Sequence, residues 1–156
     1  MSADHNIFIS HRHEDEELVA KLKDLLIRHG IEVRDSSVTS STPNNANSED
    51  YIKSILAAHI QWAGKVIVIV SPGTKDHPWV DWEINYANKQ PNKRIIGVWA
   101  PGEAGCDLPE PLERHADSLV AWNADAIIRA LNGEDNWQAQ DGSEAPARTI
   151  SRIGCP

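Results

Sequence analysis

Lys65-Val66-Ile67-Val68-Ile69-Val70 sets five consecutive β-branched residues behind a lysine. Such side chains are stiff at χ1 and favour extended backbone. The run has no polar alternation, so a strand made from it must be covered on both faces. A sheet covered on both faces is, as a rule, a parallel sheet between layers of helices. With 156 residues, 40 % of them hydrophobic, the chain can supply such layers around one core.

Other segments fit that frame. Ile7-Phe8-Ile9, ending at Ser10, is a short apolar run of the same kind. An acidic start, Glu14 to Glu17, precedes Leu18, Val19, Leu22, Leu25 and Leu26 at helical spacing, with Gly30 as the terminating residue. Ile31 to Arg34 reads as a second strand. Ser48 caps a helix whose buried stripe is Ile52, Ile55, Leu56 and Ile60. Ser71-Pro72-Gly73 ends the central strand, and a helix starting near Pro78 runs to about Lys89. Ile95 to Trp99 is a fourth strand, and a loop rich in Pro and Gly spans Ala100 to Pro111. Ser118 to Trp122 is a weaker fifth strand, followed by a helix marked by Ala126, Ile127, Ala130 and Leu131. The alternation predicts an α/β fold with a five-stranded parallel sheet and helices on both faces. Residues 1–133 are expected to form the domain. From Glu134 the sequence is polar and aperiodic, and residues 134–156 read as a poorly ordered tail.

Composition narrows the partners. A net charge of -8 repels phosphate backbones and anionic membrane surfaces, which speaks against nucleic-acid and membrane binding. No leader peptide and no bilayer-spanning run are visible. Cys106 and Cys155 form neither a disulfide framework nor a zinc pattern, so a reducing cytoplasm is expected.

Ligands of open α/β sheets bind beyond the carboxyl ends of the strands. That rule selects Ser10 to His13, Asp35 to Asn47, and Ser71 to Trp82. In the third segment, Val80, Ile84 and Ala87 share one helix face, and Trp79, Glu83 and Tyr86 share the next. Glu83 is therefore expected at the border of the core among aromatic rings, where partial desolvation raises a carboxyl pKa. Position alone also allows a boundary glutamate paired with Lys or Arg, and tilts toward it. Ser10-His11-Arg12-His13 suits contact with a phosphate or carboxylate, or plain loop hydrogen bonding. Its His-X-His spacing lacks the further ligands of a metal site, so no metal is expected. The polar loop from Asp35 to Asn47 is longer than a connection requires; it reads equally as a nucleotide-wrapping loop or as a mobile surface loop. Neither a Gly-X-Gly-X-X-Gly turn, a Walker loop nor a serine nucleophile elbow occurs.

In this order the segments resemble the TIR family. Phe8-Ile9-Ser10-His11 resembles its first strand, the Asp35 to Asn47 loop stands where its BB loop does, and Val66 to Ser71 resembles its third strand. Trp79-Val80-Asp81-Trp82-Glu83-Ile84 resembles its Trp-Val-X-X-Glu helix motif, and Lys93 to Val98 its next strand. The likeness covers roughly residues 5 to 132 and is nearest to bacterial antiphage proteins of the Thoeris kind. It implies a flavodoxin-like TIR fold and cleavage of NAD at the nicotinamide–ribose bond, with Glu83 catalytic. It also implies that Ser10, His11, Arg12, the loop residues Ser36 and Asn45, Trp79 and Trp82 line the NAD pocket. NAD would be the substrate, with no resident cofactor. The product would be an ADP-ribose-derived signalling nucleotide, hydrolysed, cyclic or joined to a free amino acid, sensed by a separate effector protein. Self-assembly belongs to the same expectation. Two rivals stand beside it: a non-catalytic TIR scaffold signalling by self-association, and another α/β nucleotide protein of deoxyribosyltransferase-like or flavodoxin-like type.

Overall fold

The β-branched run from Lys65 to Val70 forms β3 at the centre of the sheet, with every residue after Lys65 buried. A computed structural model of the chain describes residues 4–11, 15–35, 49–76, 78–91, 93–101 and 108–139. Around β3 the elements run β1 (Asp4–Ser10), α1 (Glu16–Arg28), β2 (Glu32–Asp35), α2 (Glu49–Trp62), then α3 (Pro78–Lys89), β4 (Arg94–Trp99), α4 (Glu110–His115), β5 (Ser118–Val120) and α5 (Ala124–Leu131). The five strands are ordered β2-β1-β3-β4-β5, and every pairing is parallel.

Alternation along the strands divides the core into two layers. Val66, Val68 and Val70 face Leu56 and Ile60 of α2, Val80, Ile84 and Ala87 of α3, and Leu112 of α4. Ile67 and Ile69 face Val19, Leu22 and Leu26 of α1 with Ile127, Ala130 and Leu131 of α5. The expected α/β sandwich is thus present, with helices on both faces. Chain order reverses between β1 and β3, the switch point beyond which ligands of open α/β sheets bind by general rule.

Local chemistry fixes the boundaries. α1 ends as expected at Gly30, whose φ of 82° is the left-handed conformation that only glycine adopts without cost. There Gly30 N–H donates to Ile27 O and Ile31 N–H to Leu26 O, the paired closure of a Schellman motif. Asn123 caps α5, its side chain accepting from Ala126 N at 3.1 Å. β4 needs Gly97: a Cβ there would lie 2.7 Å from Leu119 Cδ1 and 3.0 Å from Leu112 Cδ2.

Several expectations are corrected. β1 starts at Asp4 rather than Ile7, because pairing with β2 gives its polar first residues a hydrogen-bonded neighbour. β5 stops at Val120, where Asn123 N–H turns back onto Ala121 O to start α5. The helix α4 was not expected at all. Its six residues are too few for a periodic stripe, and Leu112 alone is its buried anchor. Residues 134–139, expected within a poorly ordered tail, lie along β5. Leu119 N–H donates to Asn136 O and Gln138 N–H to Leu119 O, both at 2.8 Å, and Trp99 Nε1 donates to Gln138 O at 2.9 Å. The edge of β5 supplies backbone partners that no side-chain pattern announces. The remainder of the tail, residues 140–156, falls outside the described residues.

Candidate functional site

β1 delivers Ser10 to the carboxyl end of the sheet with its backbone fixed beside Val68 of β3. Ser10 is 1 % exposed. α3 approaches the same point from above. Its face of Val80, Ile84 and Ala87 is buried against the sheet, and this anchoring carries Glu83 inward with it. Glu83 is 7 % exposed, more enclosed than the border position expected for it. Ser10 Oγ donates to Glu83 Oε1 at 2.5 Å, across 73 positions of sequence.

Burial dominates the chemistry of this carboxyl. Loss of solvent pushes its pKa from 4.5 up to about 8, and the Ser10 hydroxyl pulls the other way by favouring the charged form. A glutamate poised there can carry a proton or a charge near neutral pH. When ionised in so dry a setting, it attracts a neighbouring cation strongly.

A second polar cluster braces the same end of the sheet. Ser71, the residue after β3, donates from Oγ to Asp15 Oδ2 at 2.5 Å and lies 3.0 Å from Thr74 Oγ1. Ser71 N–H donates to Thr74 Oγ1 at 2.9 Å. All three residues are buried. They tie the start of α1 to the turn that leads into α3. The sequence reading missed this cluster. In sequence Asp15 reads as a helix-dipole acid, and Ser71 as a strand stop that opens the third ligand-facing segment. The Ser-X-X-Thr spacing is the local signal for the turn half of it.

The remaining candidates are partly gathered. His11 Nδ1 lies 3.0 Å from Ile9 O, and since a carbonyl only accepts, that nitrogen carries the proton. Trp79 and Trp82 are half-buried, with ring centroids 6.2 Å apart at 75°. Trp82 also stacks on Tyr86 at 5.1 Å, and Lys53 Nζ of α2 lies 5.9 Å from the Trp82 ring centre. Gln61 of α2 donates to the Tyr86 hydroxyl at 2.5 Å. The Trp82–Tyr86 pair therefore serves the seam between α2 and α3. Arg12, Ser36 and Asn45 fall outside the described residues, as do His13 and nearly all of the Asp35 to Asn47 loop.

With this geometry in hand, likeness to known proteins can be weighed. The family model described as Thoeris protein ThsB, TIR-like domain, matches residues 8–104. No curated protein matched the sequence. Among solved structures, the TIR domain of the Toll-related receptor TRR-2 from Hydra magnipapillata superposes with a TM-score of 0.55. It is 17 % identical, and the match covers 83 % of this chain and 99 % of that one. A looser likeness, with a TM-score of 0.47 and 15 % identity over 97 % of each chain, is to the TIR domains of the activated Roq1 resistosome, which directly recognises the pathogen effector XopQ. The receptor domain supports the fold alone. The family match begins in β1 and passes through Ser10, Ser71 and Glu83, so it spans every element that builds the site. The chain has the TIR fold and belongs to the Thoeris ThsB TIR-like domain family.

Proposed function

We propose that this chain cleaves NAD at the nicotinamide–ribose bond, with Glu83 as the catalytic residue, and yields an ADP-ribose-derived signalling nucleotide in antiphage defence. Membership of the Thoeris TIR-like family supports a role in signalling or defence. The observation that carries the finer reading is Glu83 itself, a buried carboxyl at the carboxyl end of β1, where the strand order reverses.

The chemistry follows from charge. In NAD the nicotinamide ring nitrogen is positive. When the C1′–N bond breaks, its electron pair goes to that nitrogen and nicotinamide leaves neutral. The positive charge passes to C1′ and the ribose ring oxygen, as in glycoside cleavage. An ionised Glu83 beside the ribose stabilises that charge, and the dry setting magnifies the effect. Substrate and carboxyl also match each other: the incoming pyridinium favours the charged form of Glu83. Because the leaving group needs no proton, one carboxylate suffices. His11 and Arg12, which follow the first strand in sequence, suit the pyrophosphate. The species that captures C1′ sets the product: water gives ADP-ribose, an internal nucleophile a cyclic form, and a free amino acid a conjugate.

The test is nicotinamide release, followed by chromatography and mass spectrometry, for the unmutated protein and for Glu83→Gln, with and without free amino acids. Release by the unmutated protein alone is the expected result, and the product mass identifies the acceptor. Equal release by a folded Glu83→Gln protein would remove Glu83 from the reaction. Absence of release from both at high protein concentration would favour a non-catalytic scaffold.

A further inference from the structure

The Ser10–Glu83 pair gives Ser10 a more specific task than lining a pocket. Ser10 has one hydroxyl proton, and that proton is committed to Glu83 Oε1. Its side chain is buried and its backbone is locked in the β1–β3 ladder, so the donor is fixed before any ligand arrives. Glu83, by contrast, is a three-torsion side chain on a helix. Without an anchor its carboxyl can rotate, and in a buried setting it prefers to stay protonated.

The elements neighbouring the pair carry charged and titratable groups of their own. They are His11 after β1, Asp15 just before α1, Lys53 on α2, Lys75 after β3, and Asp81 on α3. Asp15 is held by Ser71, and Lys53 sits over the Trp82 ring. The influences acting on the Glu83 proton are burial and the Ser10 hydroxyl.

We infer that Ser10 is a positioning residue for Glu83, its hydroxyl fixing the carboxylate in its reactive orientation rather than binding substrate. This rests on the proposed role of Glu83 in NAD cleavage, but its physical core, the coupling of Ser10 to the Glu83 proton, can be read without turnover. Ser10→Ala removes the donor and leaves a smaller side chain in a buried site. Ser10→Thr keeps the donor.

The deciding experiment titrates Glu83 by carbon NMR on protein labelled at the glutamate carboxyl carbons, with Glu83→Gln to identify its resonance. Nicotinamide release is measured across pH on the same proteins. The Glu83 midpoint is expected to rise by about half to one pH unit in Ser10→Ala and to stay in place in Ser10→Thr. The acid limb of kcat should move with it, with kcat at neutral pH down roughly tenfold and KM within about twofold. An unmoved midpoint in folded Ser10→Ala overturns the inference. So does a raised KM with kcat unchanged, which would make Ser10 a substrate contact. Full turnover by Glu83→Gln would instead overturn the reading of NAD cleavage through Glu83, while the shift in midpoint would still report the coupling.

Discussion

The two ends of the sheet treat charge in opposite ways. At the amino ends of the strands, Lys93 Nζ donates to Gln61 O at 2.8 Å and Ala63 O at 2.5 Å, closing the last turn of α2. Arg94 Nε donates to Ala130 O at 2.6 Å, in the last turn of α5, and its guanidinium reaches Glu134 O at 2.5 Å and Asp135 at 2.8 Å. These cations sit where helix dipoles favour them and meet carbonyls that would otherwise go unsatisfied. At the carboxyl ends, Glu83 is buried with a hydroxyl as its hydrogen-bond partner, and its ionisation is opposed by its surroundings. One end uses charge to finish helices; the other holds a charge that the fold alone would not choose. Costs of that kind gather at functional sites.

The sharpest way to break this contrast is to remove the buried carboxyl. Glu83→Gln is expected to lower NAD turnover by about a thousandfold or more, while circular dichroism shows an intact fold. The same variant should be more stable than the unmutated protein. An unfolded glutamate titrates near 4.5 and the buried one near 8, so the folded state binds a proton that the unfolded state has lost between those values. Stability from this group is complete below about pH 4.5 and is lost as pH rises toward 8. The stability gained by Glu83→Gln should therefore grow from pH 5 to pH 8.5, up to a few kcal/mol, read as a widening gap in Tm. A gap that is constant with pH would mean that Glu83 stores no such cost.

The amino end provides the complementary test. Arg94→Ala should cost about 2 kcal/mol in chemical denaturation, through the lost bonds to Ala130, Glu134 and Asp135, and leave kcat within about twofold. A loss of turnover matching the loss of stability would show that the two ends are not separable. The smallest effect sharpens the contrast from within the carboxyl end. Asn123 is polar and sits beyond β5, yet it only caps α5. Asn123→Ala should cost about 1 kcal/mol with turnover unchanged, which would separate a cap from the neighbouring site.

Much of this could be read from the chain in order. The β3 run, the apolar stripes of α1 and α3, and the stop at Gly30 announce themselves because each depends on residues within a turn or two of one another. α4 escaped that reading because six residues show no period, and because its one anchor, Leu112, is meaningful only against Gly97 and Leu119. The strap at residues 134–139 escaped because β5 pairs with it through backbone groups, which every residue possesses, and because its side-chain bonds to Ser118 and Trp99 exist only once the sheet has formed. Glu83 itself was legible from its helix position and motif; the depth of its burial was not, since that depends on how closely α3 approaches β1.

The sequence by itself determined the layered α/β architecture and the helix face that carries Glu83. Those follow from periodicity, chain direction and local propensity, which are properties of neighbouring residues. Only the tertiary structure decided that Ser10 would hold Glu83, and that Asp15, Ser71 and Thr74 would join the start of α1 to the turn before α3. Ser10 and Glu83 stand 73 positions apart, and Asp15 and Ser71 stand 56 apart. No local rule links residues at such distances. Their meeting is set by the order of strands in the sheet, and their chemistry by the water that the packed helices exclude.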